Sequence, residues 1–168
     1  MDTAASANAW ENWLSAQAGR FLLFARSRTG CPADAEDVLQ EALVEAWERT
    51  PAGREPDDAL VFATIRRRAM DLARGRNRRL QRESIAGAGD GGEAWFASEV
   101  EDAETRALLE NAVRSLPDPQ REVVTLKIWG GLTFAQIANV IGCPANTAAS
   151  RYRYGIETLR QRLKEVLA

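Results

Sequence analysis

The sequence predicts an all-α protein made of two small helical domains joined by a flexible acidic linker. Three observations carry that prediction. Apolar residues recur at three- and four-residue steps in one segment after another. No stretch alternates with period two for long enough to make a convincing strand. Between residues 83 and 104 the chain has seven acidic side chains and no basic one, around the glycine-rich run IAGAGDGGEAWF, a composition that does not order itself well. The 168 residues are enough for one ordinary domain or two small ones. The expected boundaries are 1–82, a linker over 83–104, and 105–168.

In the first domain, Trp10, Trp13, Leu14, Phe21, Phe24 and Ala25 fall along one face of a helix spanning roughly residues 4 to 28. Pro32 is followed by Asp34, the expected N-cap of a second helix with Val38, Leu39, Ala42, Leu43, Ala46 and Trp47 as its apolar stripe. TPAGREPDD, from Thr50 to Asp58, has two prolines and a glycine and reads as a loop. A third helix starts near Asp58, with Val61, Ile65, Ala69, Leu72 and Ala73 turned inward. Trp95 and Phe96 interrupt the polar linker, and such a pair of aromatics is expected to dock on its own protein.

The most specific pattern is LTFAQIANVIGCPANTAASRYRYGIETLRQRL. Thr133 and Gln136 form a capping-box signature. Phe134, Ile137, Ala138 and Ile141 make a short amphipathic helix that Gly142 can end. Cys143 lies in the turn, and Pro144 and Asn146 restart the chain. Ala148, Tyr152, Ile156 and Leu159 then recur at helical steps. Short helix, tight turn and longer helix make a helix-turn-helix, whose second helix can enter a major groove by its N-terminal residues. Those positions hold Asn146, Thr147, Ala149, Ser150, Arg151 and Arg153, side chains suited to phosphates and base edges. A plain helical hairpin with a solvated basic face is the alternative.

Several function classes are excluded. The chain has no histidine, and its two cysteines, Cys31 and Cys143, are isolated; zinc sites of the usual kind and histidine bases are therefore not expected. No nucleophile elbow, P-loop or dinucleotide fingerprint is present. The chain is read as a non-enzyme with no catalytic residue, metal, cofactor or small-molecule substrate. Its longest apolar runs, FLLFA and ALVFATI, fall far short of the roughly 20 residues of a membrane span. The first residues lack the order of a secretory signal. No membrane insertion and a cytoplasmic location are expected.

The net charge of −2 conceals opposed blocks. Residues 34–58 have nine acidic and two basic side chains, and residues 66–82 have eight arginines against Asp71 alone. Pairing between neighbours on one helix face cannot balance those arginines, and unpaired like charges repel.

Taken together, DAEDVLQEALVEAW, FATIRRRAMDLARGRNRR and LPDPQREVVTLKIWGGLTFAQIANVIGCPANTAASRYRYGIETLR resemble the bacterial sigma factors of the extracytoplasmic-function type. The resemblance covers nearly all of residues 10 to 165 and joins two independent blocks in the family's order. It implies a sigma-2-like and a sigma-4-like domain, with core RNA polymerase and promoter DNA as partners and an anti-sigma factor as a further one. It implies polymerase docking through Asp37, Gln40, Glu41 and Trp47, where acids suit a basic partner surface. It implies minus-10 contact through Arg66, Arg67, Arg74, Arg76, Arg78 and Arg79. Minus-35 contact falls to Asn146, Thr147, Ser150, Arg151 and Arg153.

The loop from Thr50 to Asp58 sits where the family captures a flipped base, but it lacks an aromatic residue for stacking. The family pattern has lysine where this chain has Ala149, and glycine where it has Asn146, so one expected minus-35 contact is missing. The acidic linker reads either as a nucleic-acid mimic for the polymerase cleft or as a plain tether. Two other classes stay open: a sigma mimic that sequesters an anti-sigma factor, and a free-standing helix-turn-helix regulator. The arginine block counts against the first, and the acidic helix surface against the second.

Overall fold

The computed structural model describes residues 3–83, 94–96 and 102–168, without the side chains of residues 3–6. Among these residues the secondary structure consists of seven α-helices and no strand. They form two units, divided between Glu93 and Ala94. Residues 84–93 and 97–101, where most of the expected linker falls, lie outside the described residues. None of the seven helices is long and apolar enough to cross a membrane.

The first unit contains α1 (Thr3–Arg28), α2 (Pro32–Arg49) and α3 (Asp58–Glu83). Its core is aromatic: Phe62 of α3 meets Phe21 and Phe24 of α1 edge-on, with ring centroids 4.9 and 5.4 Å apart, a favoured arrangement of ring quadrupoles. Trp13, Val38, Ala42, Val61, Ile65 and Ala69 complete it. The start of α3 is fixed by two aspartates. Asp57 accepts the Ala59 N–H at 2.9 Å as a cap. Asp58 accepts from the Trp13 indole at 3.0 Å and from Arg20 at 3.2 Å, so α3 is tied to α1 where its apolar stripe begins.

Three expectations are corrected here. Asp34 is not the N-cap of α2: the helix starts two residues earlier at Pro32, with Cys31 at the cap position and no side-chain cap bond. Proline at the first helical position has its φ set for the helix and no N–H to leave unsatisfied. Leu72 and Ala73 are exposed rather than inward. Ala69 is the last buried residue of α3, because Arg76 already lies level with the α1–α2 turn: a β-carbon on Gly30 would stand 2.7 Å from its guanidinium. Leu72 lines an open groove of about 550 Å³ between α2 and α3 instead.

The second unit contains Trp95, Phe96, α4 (Ala103–Arg114), α5 (Asp118–Ile128), α6 (Phe134–Ile141) and α7 (Ala145–Leu167). Trp95 is buried among Ala112, Val113, Leu116, Val124 and Leu159, with the Arg114 guanidinium 4.2 Å above its ring, a cation–π geometry. Phe96 lies 5.1 Å from Trp129. Both aromatics thus dock on their own protein. Asp102, also inside the expected linker, caps α4 by accepting from the N–H groups of Glu104 and Thr105 at 3.1 and 3.3 Å. The Thr105 hydroxyl, followed by these N–H bonds, holds its carboxyl below the usual aspartate value.

Candidate nucleic-acid interface

The opposed charge blocks meet across the α2–α3 pair. Arg67 donates to both Glu45 oxygens, at 2.9 and 2.8 Å. Arg68 pairs with Glu41 at 3.2 Å, and Arg76 with Asp34. Partners near the start of α2 lie far along α3 and those near its end lie early on α3, so the helices run antiparallel. The acids of α2 therefore neutralise arginines 22 to 42 residues away in sequence only in part, since α3 has more cations than α2 has facing acids.

The nearest of these partners, Arg67 and Glu45, are separated by 22 residues and the farthest, Arg76 and Asp34, by 42. Arg74 pairs with Asp71 on its own helix. Arg66 is half-buried. Arg78 and Arg79 are exposed, Arg79 in the wall of the α2–α3 groove that Asp34 and Asp37 also line. Among the described residues they have no ion-pair partner. Hence Arg67, Arg74 and Arg76 must exchange an acid for a phosphate to touch DNA, whereas Arg78 and Arg79 are open to it. Sequence reasoning missed the pairing because it counted acids only along α3.

Asp37, Gln40 and Glu41 are exposed together on the outer face of α2, at the steps that place them on one surface. Trp47 continues that face. It is 50% exposed and leans edge-on against Trp10, with centroids 4.8 Å apart. Val44, which sequence reasoning passed over, is also exposed between them. An exposed valine and a half-exposed tryptophan amid acids make a mixed apolar and anionic strip. The Thr50–Asp58 loop borders a cavity of about 150 Å³ lined by Thr50, Pro56, Asp57 and Leu60 among others.

In the second unit the helix-turn-helix is built as its local chemistry requires. Thr133 accepts from the Gln136 N–H at 3.2 Å, and Gln136 accepts from the Thr133 N–H at 2.9 Å, the reciprocal capping box. Gly142 turns the chain at φ 71°, a conformation that suits glycine, and the Gly142 and Cys143 N–H groups close on the Ala138 carbonyl at 2.9 and 3.1 Å. Buried Ile137, Ile141 and Ala148 join α6 to α7. Phe134 meets Tyr152 edge-on at 5.5 Å, and Lys127 lies 4.6 Å over Phe134, which braces the angle between the helices. α7 begins without a side-chain cap. Asn146 and Arg153 are exposed there, and Thr147, Ser150 and Arg151 half-exposed, so all five predicted residues gather on the first turns of one helix.

Two family models match the chain in order: Sigma-70 region 2 over residues 16–79 and Sigma-70, region 4 over residues 106–167. The chain is 31% identical over 149 residues to the ECF RNA polymerase sigma factor SigL of Mycobacterium tuberculosis, covering 85% of this chain and 82% of that protein. It is 32% identical over 136 residues to the ECF RNA polymerase sigma factor SigK of Mycolicibacterium vanbaalenii, covering 77% and 69%. Its fold is similar to that of the sigma factor RpoE from Bartonella quintana, solved in complex with the anti-sigma factor NepR. The TM-score there is 0.68 at 23% identity, over 92% of this chain and 96% of that one. With both regions matched and SigL aligned over most of its length, this chain belongs to the ECF family of RNA polymerase sigma factors, initiation factors that direct polymerase to promoters.

Proposed function

We propose that the two units divide promoter recognition as the charge distribution suggests. The outer face of α2, with Asp37, Gln40, Glu41 and Trp47, docks on core polymerase. The arginines of α3 hold the minus-10 strand, with Arg78 and Arg79 making the first phosphate contacts and Arg66, Arg67, Arg74 and Arg76 adding theirs once DNA is in place. α7 enters the major groove of the minus-35 element, where Arg151 reads a base edge and Asn146, Thr147, Ser150 and Arg153 fix its register. Residues 1–82 and 105–168 are the two functional domains, and the protein works in the cytoplasm without catalysing a reaction of its own. An anti-sigma factor is the proposed regulator, supported by the fold likeness to a sigma factor solved with one.

The observation that carries this reading is the uncapped start of α7, braced from behind by α6, with five polar or basic side chains around it. A decoy for an anti-sigma factor has no use for such a surface. The test is promoter binding by the reconstituted holoenzyme. Arg151→Ala is expected to cost about 1 to 3 kcal/mol on a matched minus-35 sequence and much less on a scrambled one. Equal losses on both would overturn base readout by Arg151.

A further inference from the structure

Three guanidinium groups converge on one carboxylate at the end of α2. Arg67 grips both oxygens of Glu45 at 2.9 and 2.8 Å, Arg49 approaches to 3.1 Å, and Arg68 to 3.6 Å. The Glu45 side chain is 14% exposed, whereas those of Arg49, Arg67 and Arg68 are 74%, 53% and 42% exposed. The anion is thus inside and the cations open outward, all three in the wall of a surface cavity of about 680 Å³. Glu41 and Glu48 line the same cavity, so three acids balance the three cations there, and Glu45 is the one on which all three converge.

We propose that Arg49, Arg67 and Arg68 form a cradle for one backbone phosphate of a nucleic-acid strand, and that the Glu45 carboxylate occupies it in the free chain. A carboxylate and a phosphodiester each present two oxygens and one negative charge to a guanidinium fork, so the same donors serve either. Glu45 is tethered and holds the site by proximity. A strand displaces it when other contacts have already brought the phosphate close. Arg68 also bonds Glu41 at 3.2 Å, so a partner that draws Glu41 away strips one acid from the cradle and favours the exchange. Arg49 and Arg68 are new to the contact set. The Arg67 hydrogen bond holds the Glu45 carboxyl below the usual glutamate value, in keeping with a carboxylate that substitutes for an anionic ligand.

The inference rests on the reading that α3 faces DNA, and its test separates the two. The probe is labelled oligothymidylate, which offers phosphates without a promoter sequence, titrated with the full-length chain at several salt concentrations. Glu45→Gln is expected to tighten binding on the order of tenfold at low salt and to steepen the salt slope by about 0.7, one single-strand phosphate. Adding Arg49→Ala, at an exposed position, removes that gain. Glu36→Gln, the same change of net charge at an exposed position of α2 outside this cavity, gives much less. An unchanged Glu45→Gln affinity and slope, a gain that survives Arg49→Ala, or an equal gain from Glu36→Gln overturns the cradle. Arg78→Ala with Arg79→Ala in the native background reports on the wider reading. If that variant loses affinity while Glu45→Gln changes nothing, the cradle alone falls; if both bind as the native chain does, the DNA-facing reading of α3 falls with it.

Discussion

Gly155 of α7 passes so close to Val124 of α5 that a β-carbon placed on it would lie 2.7 Å from Val124 Cγ2. Val124 is fully buried and branched at Cβ, so it cannot swing aside as a flexible chain end does. The crossing of these helices sets the depth at which α7 is seated, and so the reach of its N-terminal side chains.

Gly155→Ala is therefore expected to destabilise the second unit. Helix propensity favours alanine by about 1 kcal/mol, but overpacking a filled contact costs about 1 to 3 kcal/mol. The second term wins. Urea denaturation followed by signals from this unit measures the change. A double-mutant cycle with Val124→Ala should show a favourable coupling of at least about 0.5 kcal/mol, and additive effects would place the strain elsewhere.

On the first unit, Asp37→Arg with Glu41→Arg is expected to abolish co-purification with core polymerase. Both side chains are exposed, and the Glu41–Arg68 pair is of the half-exposed kind worth about 0 to 1 kcal/mol, so the fold should survive. Circular dichroism checks the fold, and retained polymerase binding contradicts the proposed face.

Features that depend on nearby residues were legible in the sequence. The Thr133–Gln136 box and the turn at Gly142 need only neighbours a few residues apart, and both formed as read. The helical character of α1, α2 and α3 followed from spacing alone. What escaped depends on where partners end. Periodicity shows which face Leu72 is on but not that α1 and α2 have turned back beside Arg76. The partners of Arg67 and Arg76 lie on another helix, and α4 and α5 were not delimited at all because the loop-like LPDP separates two short helices. Trp47 illustrates the limit: its place on the apolar stripe of α2 is visible, but its half-exposed stack on Trp10 is not.

Acidification gives a further test of the α2–α3 pairing. The Arg67 hydrogen bond depresses the Glu45 pKa, so its contribution to stability is present above the ordinary glutamate value of 4.5 and is lost as pH falls below it through the folded value. Thermal melts of the native chain and of Glu45→Gln should therefore converge as the pH is lowered. A constant separation between the two at every pH would show that the Glu45 charge does not support the fold.

The central claim is that this chain directs polymerase to promoters, and run-off transcription with core RNA polymerase on a promoter library tests it most directly. The account predicts initiation from a discrete subset of promoters when the chain and core enzyme are combined, and none of that selectivity from either alone. Core enzyme that remains unselective with the chain present, or sequence-specific DNA binding by the chain without polymerase, would contradict it.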